Sequence, residues 1–531
     1  MQLVIPMSGL GKRFVNAGYK LPKPLIEVDG YPMIKHVLDL FPNVTDIKFI
    51  CNEKHIKETN MSKVLLSLAP TAKIYSIQTA KGPVDAVLKV VNEIDDNEEV
   101  IVSYCDYGTH WNFNKFLETT RNGNFDGAIA CYKGFHPHML GTDNYAFCRE
   151  SNNELLEIKE KQSFTNNRMN EYASNGTYYF KKGQILKKYF KQLVDNNIQI
   201  NNEYYVSLVY NLMINDGLKA NIYEVENMLQ WGTPYDLEIY KSWSQYFRNI
   251  IKVQPVFGNS PETTLVLPMA GKGSRYFENG YDVPKPLLDV NGLPMVIQAV
   301  NCLPKSKNNV FICLQEHIDN YDLKEKLDKY YPQNQIITIN KTTNGQACTC
   351  EIGVKQSGID PEKPIIISAC DNGVYYNAEE YLKLVNNLEN DIIVWTFRNS
   401  QTSKVKPDSY AWLDVDENNK IHHVSCKKFI YEDPLKTHAI IGTMFFRKAK
   451  YFLDGFYKNV QENITTNGEF YVDDVLNQNI KNGLTVRAFE VINYICWGTP
   501  EDYKTYIYWR DYFNKCINHP YTIDKDITYV K

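Results

Sequence analysis

One segment of this chain is written twice. VIPMSGLGKRFVNAGYKLPKPL runs from Val4 to Leu25, and VLPMAGKGSRYFENGYDVPKPL from Val266 to Leu287. Residues 2–42 and 264–304 are identical at 18 of 41 positions without a gap, which chance does not give. Later landmarks keep the order: SYCDYG (103–108) with SACDNG (368–373), GTYYFKKG (176–183) with GTMFFRKA (442–449), and WGTPYDL (231–237) with WGTPEDY (497–503). The offset drifts only from 262 to 266, as expected when loops of different length sit on one scaffold. The period is far above the roughly 20–50 residues of solenoid repeats, so the pattern predicts a duplicated domain. The expected division is 1–250, a linker over 251–263, where Pro255, Gly258 and Pro261 punctuate a stretch without helical periodicity, and 264–531.

Within the first copy, QLVIPM, IKFICN, AKIYSIQ, EVIVSYC and GAIACY are short apolar or β-branched runs and read as strands. PMIKHVLDLF, PVDAVLKVVNEI and FNKFLETTR have helical spacing. Strands alternating with helices predict an α/β fold, a mostly parallel sheet flanked by helices. In such sheets ligands sit beyond the carboxyl ends of the strands, where the glycine-rich loop after the first strand must lie.

That loop is built for an anion. Gly9, Gly11, Gly271 and Gly273 permit positive φ and close backbone approach, so that successive N–H groups can face a phosphate. Arg13 and Arg275 offer paired donors, and Lys23 and Lys285 compact charges. Residues 8–24 hold four basic side chains and no acidic one; residues 270–286 set Lys272, Arg275 and Lys285 against Glu278 and Asp282. A tight turn with solvated lysines is the plain alternative for either copy alone. Neither the third glycine of a dinucleotide fingerprint nor the GK[ST] of a Walker loop is present, which disfavours a nicotinamide enzyme or a P-loop ATPase. The net charge of −4 gives no whole-molecule attraction to nucleic acid. Twelve cysteines without a CxxC pair read as reduced thiols. QLVIPM lacks the features of a signal peptide, and no run approaches a membrane span, so a cytoplasmic protein with no membrane partner is expected.

The loop, kept in both copies from PM through GxGxR to GY and PKPL, resembles that of the sugar-phosphate nucleotidyltransferases, the nucleoside-diphosphate-sugar pyrophosphorylases. The likeness spans both halves, and no hexapeptide repeats follow either copy. It implies two tandem Rossmann-like, GT-A-like domains. It further implies that an NTP, CTP or UTP/dTTP by preference, reacts with a phosphorylated small-molecule acceptor to release pyrophosphate, with Mg²⁺ as cofactor. By resemblance, Arg13 and Arg275 hold the triphosphate and Lys23 and Lys285 meet the α-phosphate. Gly345 with Gln346 in TNGQACT, and Gly82 in AKGPVDA, match the segment against the nucleobase, although Pro83 replaces the glutamine and leaves base choice in the first half open. Asp106 and Asp371 match the Mg²⁺ ligand, a reading that also fits a strand-end carboxylate facing a basic loop. Lys161 and Lys427 match the lysine that holds the acceptor phosphate, Gly176 and Gly442 the loop along the acceptor, and Glu203 and Glu469 an acidic position beside it.

Where many relatives carry a second metal aspartate just before the late GT, this chain has Gln230-Trp231 and Cys496-Trp497, so that ligand is unassigned. Asp473 and Asp474 could serve in the second half, but Ser207 and Leu208 stand at those positions in the first. Asp236 and Asp502 read as structural, since Thr-Pro-x-Asp puts Thr233 and Thr499 at the N-cap, proline at the first and aspartate at the third position of the closing helix. His136, His138, His422 and His423 read as surface or pocket-wall residues. A homo-oligomer is compatible with all of this. Two rival readings remain: one half a non-catalytic binding module, or a nucleotide-sugar-dependent glycosyltransferase, whose DxD metal motif is missing from CDYG and CDNG.

Overall fold

A computed structural model describes residues 1–142, 144–251 and 259–529. The chain forms two compact units, Met1–Ser244 and Gln245–Lys531. The expected linker falls largely on residues 252–258, outside the described residues; its end, from Asn259, opens a strand running to Pro268.

All five segments expected as strands are strands, because each alternates its apolar side chains between two buried faces. In the first unit Leu3, Ile5, Phe49 and Ile101 enter one core, and Val4, Ile50, Val100 and Val102 the other. The sheet runs, edge to edge, Lys73–Ile77, Asp46–Asn52, Gln2–Met7, Val100–Ser103, Tyr172–Phe180, Gly127–Tyr132, Ala220–Glu224, Glu154–Glu160 and Ala146–Ser151. Its first four strands are parallel, and Tyr172–Phe180 is inserted antiparallel between Val100–Ser103 and Gly127–Tyr132.

The second unit repeats this order: Asn334–Ile339, Lys305–Leu314, Asn259–Pro268, Ile365–Ile367, His438–Phe446, Ile392–Phe397 and Val486–Glu490, with His438–Phe446 the antiparallel insert. Its two cores likewise divide Leu265, Leu267 and Ile366 from Val266, Ile365 and Ile367. Each unit is therefore a mixed, mostly parallel α/β sheet covered on both sides. No helix among the described residues is long and apolar enough to cross a membrane.

Candidate active site

Val4 stands opposite Val102, so four residues further on the glycine loop and Asp106 leave the sheet together. The second unit pairs Val266 with Ile367, which brings Ala270 and Asp371 to the same place. Gly11 adopts φ 62° and Gly273 φ 64°, reversing the chain into the short helices that carry Arg13 and Arg275. The PKPL segment then returns as a tight turn over Lys23–Leu25, entered through Pro22. Lys23 Nζ lies 2.6 Å from Asp106 Oδ2, and Lys285 Nζ 2.7 Å from Asp371 Oδ2.

These pairs are electrostatically deep. Burial pulls the Lys23 ammonium down, but the Asp106 carboxylate outweighs it and leaves the pKa raised. Lys285 follows the same balance against Asp371. Burial works to raise Asp371, and Lys285 beside it holds the carboxyl below its ordinary range. Both sites thus hold a charged lysine in contact with an aspartate.

A two-stranded ribbon keeps each aspartate in place. Tyr107–His110 pairs with Asn227–Gln230, and the Trp231 N–H donates to the Asp106 carbonyl at 3.0 Å; Trp497 does the same to Asp371 at 2.8 Å. A Cβ on Gly108 or Gly373 would come within 2.9 Å of the Trp231 or Trp497 ring, and one on Gly232 within 3.0 Å of Asp106 Oδ2. The glycines of CDYG and CDNG therefore make room for the tryptophan rings, and those of WGTP for the carboxylates. Gln230 and Cys496 border that same space: a Gly232 Cβ would lie 3.2 Å from the Gln230 amide nitrogen, and a Gly498 Cβ 3.2 Å from Cys496 Sγ. Burial pushes the Cys496 thiol up to about 12, and Gln230 is a neutral amide, so neither of these two residues offers an anionic ligand.

Thr233 and Thr499 cap the closing helices: their Oγ1 atoms accept the backbone N–H of Asp236 at 3.1 Å and of Asp502 at 3.2 Å. Asp474 accepts from Thr466 Oγ1 at 2.8 Å, and Asp473 faces Lys427. His136 is buried rather than at the surface, and burial lowers its pKa to about 4. His138 Nε2 is hydrogen-bonded to Tyr132 Oη at 3.0 Å. Among the described residues no group of three or more His, Cys, Asp or Glu could hold a metal ion.

Lys161 and Lys427 both take a left-handed backbone, φ 58° and 53°, a conformation a lysine adopts only when its surroundings impose it. Lys161 Nζ lies 2.5 Å from Tyr205 Oη and 4.6 Å over that ring, and the Tyr205 hydroxyl donates to Glu203. Lys427 Nζ stands 5.8 Å over the Tyr471 ring. Arg13 acts electrostatically on both Lys23 and Tyr205, so the phosphate-loop and acceptor-side residues share one space.

Gly82 (φ 90°) and Gly345 (φ 113°) tie the two sides together. The Tyr204 N–H donates to the Lys81 carbonyl at 2.9 Å and the Phe470 N–H to Asn344 at 3.0 Å, so closely that a Cβ on Gly82 or Gly345 would stand 2.8 or 2.5 Å from backbone atoms of Tyr204 or Phe470. Gln346 is the first residue of the helix Gln346–Gln356, the place Pro83 takes in Pro83–Leu88. A proline is at ease there, where no intrahelical N–H bond is lost. Gly176 accepts the Tyr104 N–H at 3.0 Å, two residues before Asp106, which brings the Gly176 loop beside the metal-type aspartate. Sequence reasoning missed Tyr205, Tyr471 and Glu160. Their signal was available, in the EYY and EFY pair and in the glutamate preceding Lys161.

The nucleotidyl transferase family model matches residues 3–211. The likeness to that family covers less than half of the chain. Over 229 residues, 43% of the chain, it is 27% identical to the bifunctional protein GlmU of Alkaliphilus oremlandii (strain OhILAs), covering 47% of that protein. It is 25% identical over 212 residues, 39% of the chain, to GlmU of Buchnera aphidicola subsp. Schizaphis graminum (strain Sg), covering 42% of it. The chain spans less than half the length of the curated relatives it matches. A nucleoside-diphosphate-sugar pyrophosphorylase from Vibrio cholerae RC9 is 20% identical, with 46% of this chain on 99% of that one at a TM-score of 0.38. The inositol-1-phosphate CTP transferase from T. maritima is 18% identical, with 48% on 96% at 0.37. The matched stretch contains Arg13, Lys23, Asp106 and Lys161.

Proposed function

We propose that each unit transfers a nucleotidyl group from an NTP to a phosphorylated small-molecule acceptor, releasing pyrophosphate. The observation that carries this is the recurrence, in both units, of a lysine–aspartate contact at 2.6 and 2.7 Å beneath an arginine-bearing glycine loop. A phosphate monoester is largely dianionic at neutral pH, since its second pKa is about 6. One of its oxygens attacks the α-phosphorus, the new P–O bond forms as the bond to the β-phosphate oxygen breaks, and pyrophosphate leaves with the electron pair. No general base is required. The protein has to bring two polyanions into line and neutralise charge growing on the α-phosphate. Lys23 and Lys285 supply that charge, Arg13 and Arg275 hold the leaving end, and Lys161 and Lys427 hold the acceptor phosphate.

The residues fit a divalent cation that arrives with the nucleotide. One carboxylate, Asp106 or Asp371, is too little for a resident all-protein site but suits Mg²⁺, which keeps several waters and binds through substrate phosphates. Such a cation would neutralise the triphosphate. A cytidylyl or uridylyl/thymidylyl donor is favoured on the resemblance of the glycine segments, and activity in both units on their shared arginine, lysine and aspartate. The test is pyrophosphate release over an NTP panel with Mg²⁺ and a set of phosphate monoesters. Lys23→Ala and Lys285→Ala should each remove one share of turnover and the double variant all of it; a double variant with wild-type activity defeats the assignment.

A further inference from the structure

The two acceptor pockets are not copies. In the first unit Asn211, on the helix Val206–Asn215, clamps the strand Glu154–Glu160: its Oδ1 accepts the Ile158 N–H at 2.9 Å and its Nδ2 donates to the Ile158 carbonyl at 2.8 Å. In the second unit Asn477 makes the same two bonds to Val424, both at 2.9 Å. This fixes which residue of the strand end meets which residue of the helix start. In the first unit Ser207 Oγ donates to Glu160 Oε2 at 2.6 Å. In the second, Cys426 stands at the glutamate's place and Asp473 at the serine's, with Cys426 Sγ donating to Asp473 Oδ2 at 3.9 Å. One carboxyl and one small hydroxyl or thiol are kept, but the carboxyl has crossed from strand to helix.

Both carboxyls border the left-handed lysine of their unit. Glu160 lies beside Lys161 and Glu203, and Asp473 beside Lys427 and Asp474. Burial pushes Glu160 up to about 7 and Asp473 up to about 6. Holding a carboxyl there is costly, so retaining one by two different routes points to a ligand rather than to packing. The surroundings of the Gly176 loop change as well: Tyr104 is replaced by Ala369 and, in the core behind it, Tyr178 by Met444; the two tyrosine rings are 5.7 Å apart in the first unit. A Cβ on Gly176 would meet the Tyr104 ring at 3.0 Å, whereas one on Gly442 would have nothing closer than Ala369 Cβ at 3.7 Å.

We propose that Glu160 and Asp473 determine acceptor specificity, each accepting a hydrogen bond from an acceptor hydroxyl, and that the moved carboxyl and the room left by Ala369 beside Gly442 make the second unit take a different, bulkier hydroxylated phosphate monoester than the first. This rests on the nucleotidyl-transfer reading. The full chain is assayed as Lys285→Ala to read the first unit and as Lys23→Ala to read the second, with each common NTP. The acceptors are glycerol 3-phosphate, glucose 1-phosphate and N-acetylglucosamine 1-phosphate. The two backgrounds should rank these acceptors differently, the second preferring the larger. Glu160→Gln and Asp473→Asn should raise acceptor KM at least tenfold in their own unit while NTP KM stays within twofold and melting temperature does not fall. The pair Glu160→Cys with Ser207→Asp should move the first unit's ranking toward that of the second. Identical rankings, unchanged acceptor KM, or activity confined to one unit overturns the proposal. NTP binding with no turnover of any acceptor by either unit overturns the reaction itself and this inference with it.

Discussion

Lys23 and Asp106 are partners before any substrate arrives, and that contact limits what each can do alone. The ammonium sits at 2.6 Å on the carboxylate oxygen that a cation would use, so nucleotide-free protein should bind a divalent ion weakly. Removing the lysine removes the competitor. Lys23→Met should bind Mn²⁺, titrated by electron paramagnetic resonance without nucleotide, about tenfold more tightly than the parent, while its unit loses turnover. Equal or weaker Mn²⁺ binding would show that Asp106 is not a metal residue. Glu160 has the opposite economy. Its carboxyl, ordinarily near 4.5, is pushed to about 7 by burial, so between those values the fold holds it neutral while the unfolded chain has ionised it. Its effect is absent at low pH, and stability falls as pH climbs through that window. Glu160→Gln, which still accepts from Ser207, should match the parent's melting temperature at pH 4.5 and exceed it at pH 8, by an amount on the order of 2 kcal/mol. A variant that melts lower at pH 8 refutes the raised pKa.

At the scale of elements, glycines decide how loops approach one another. Gly345 opens the helix Gln346–Gln356 with φ 113°, and a side chain there would meet Phe470 backbone at 2.5 Å. Gly345→Ala carries both a left-handed strain and a backbone clash, so we expect it to destabilise the second unit by about 2–4 kcal/mol and to loosen nucleotide and acceptor together. Thermal unfolding and both KM values check this; a change in nucleotide KM alone would mean that the glycine serves the base and not the loop contact. The sequence already held the strands, the glycine loop and the capping residues Thr233 and Thr499, because those follow from local periodicity and local hydrogen bonding. By resemblance it also singled out Lys161 and Lys427 as acceptor-side residues. It did not hold the exchange of Glu160 and Ser207 for Cys426 and Asp473. Each substitution taken singly looks like the loss of a residue, and only the Asn211 and Asn477 clamps, which join segments 53 residues apart, reveal that one carboxyl is kept.

Over the whole molecule, the two units share a strand order and a lysine–aspartate contact but not the charge of their phosphate loops. Residues 8–24 carry four basic side chains with no acid, and residues 270–286 carry three against two. On the proposed function both loops meet a triphosphate, and the full chain should then show two nucleotide sites, the first tighter. Arg13→Ala and Arg275→Ala each delete one charge-assisted contact, worth about 1.5–3 kcal/mol, or about 10–150-fold in Kd at the affected site. Calorimetric titration with CTP and UTP in the presence of Mg²⁺ should therefore resolve two sites in the parent and weaken a different one in each variant. Raising the salt should weaken the first site more, since screening acts on exposed positive charge and its loop carries a net of four against one in the second. A parent with a single site, or one whose site is insensitive to both arginine substitutions, would mean that the duplicated loop is scaffold in at least one unit.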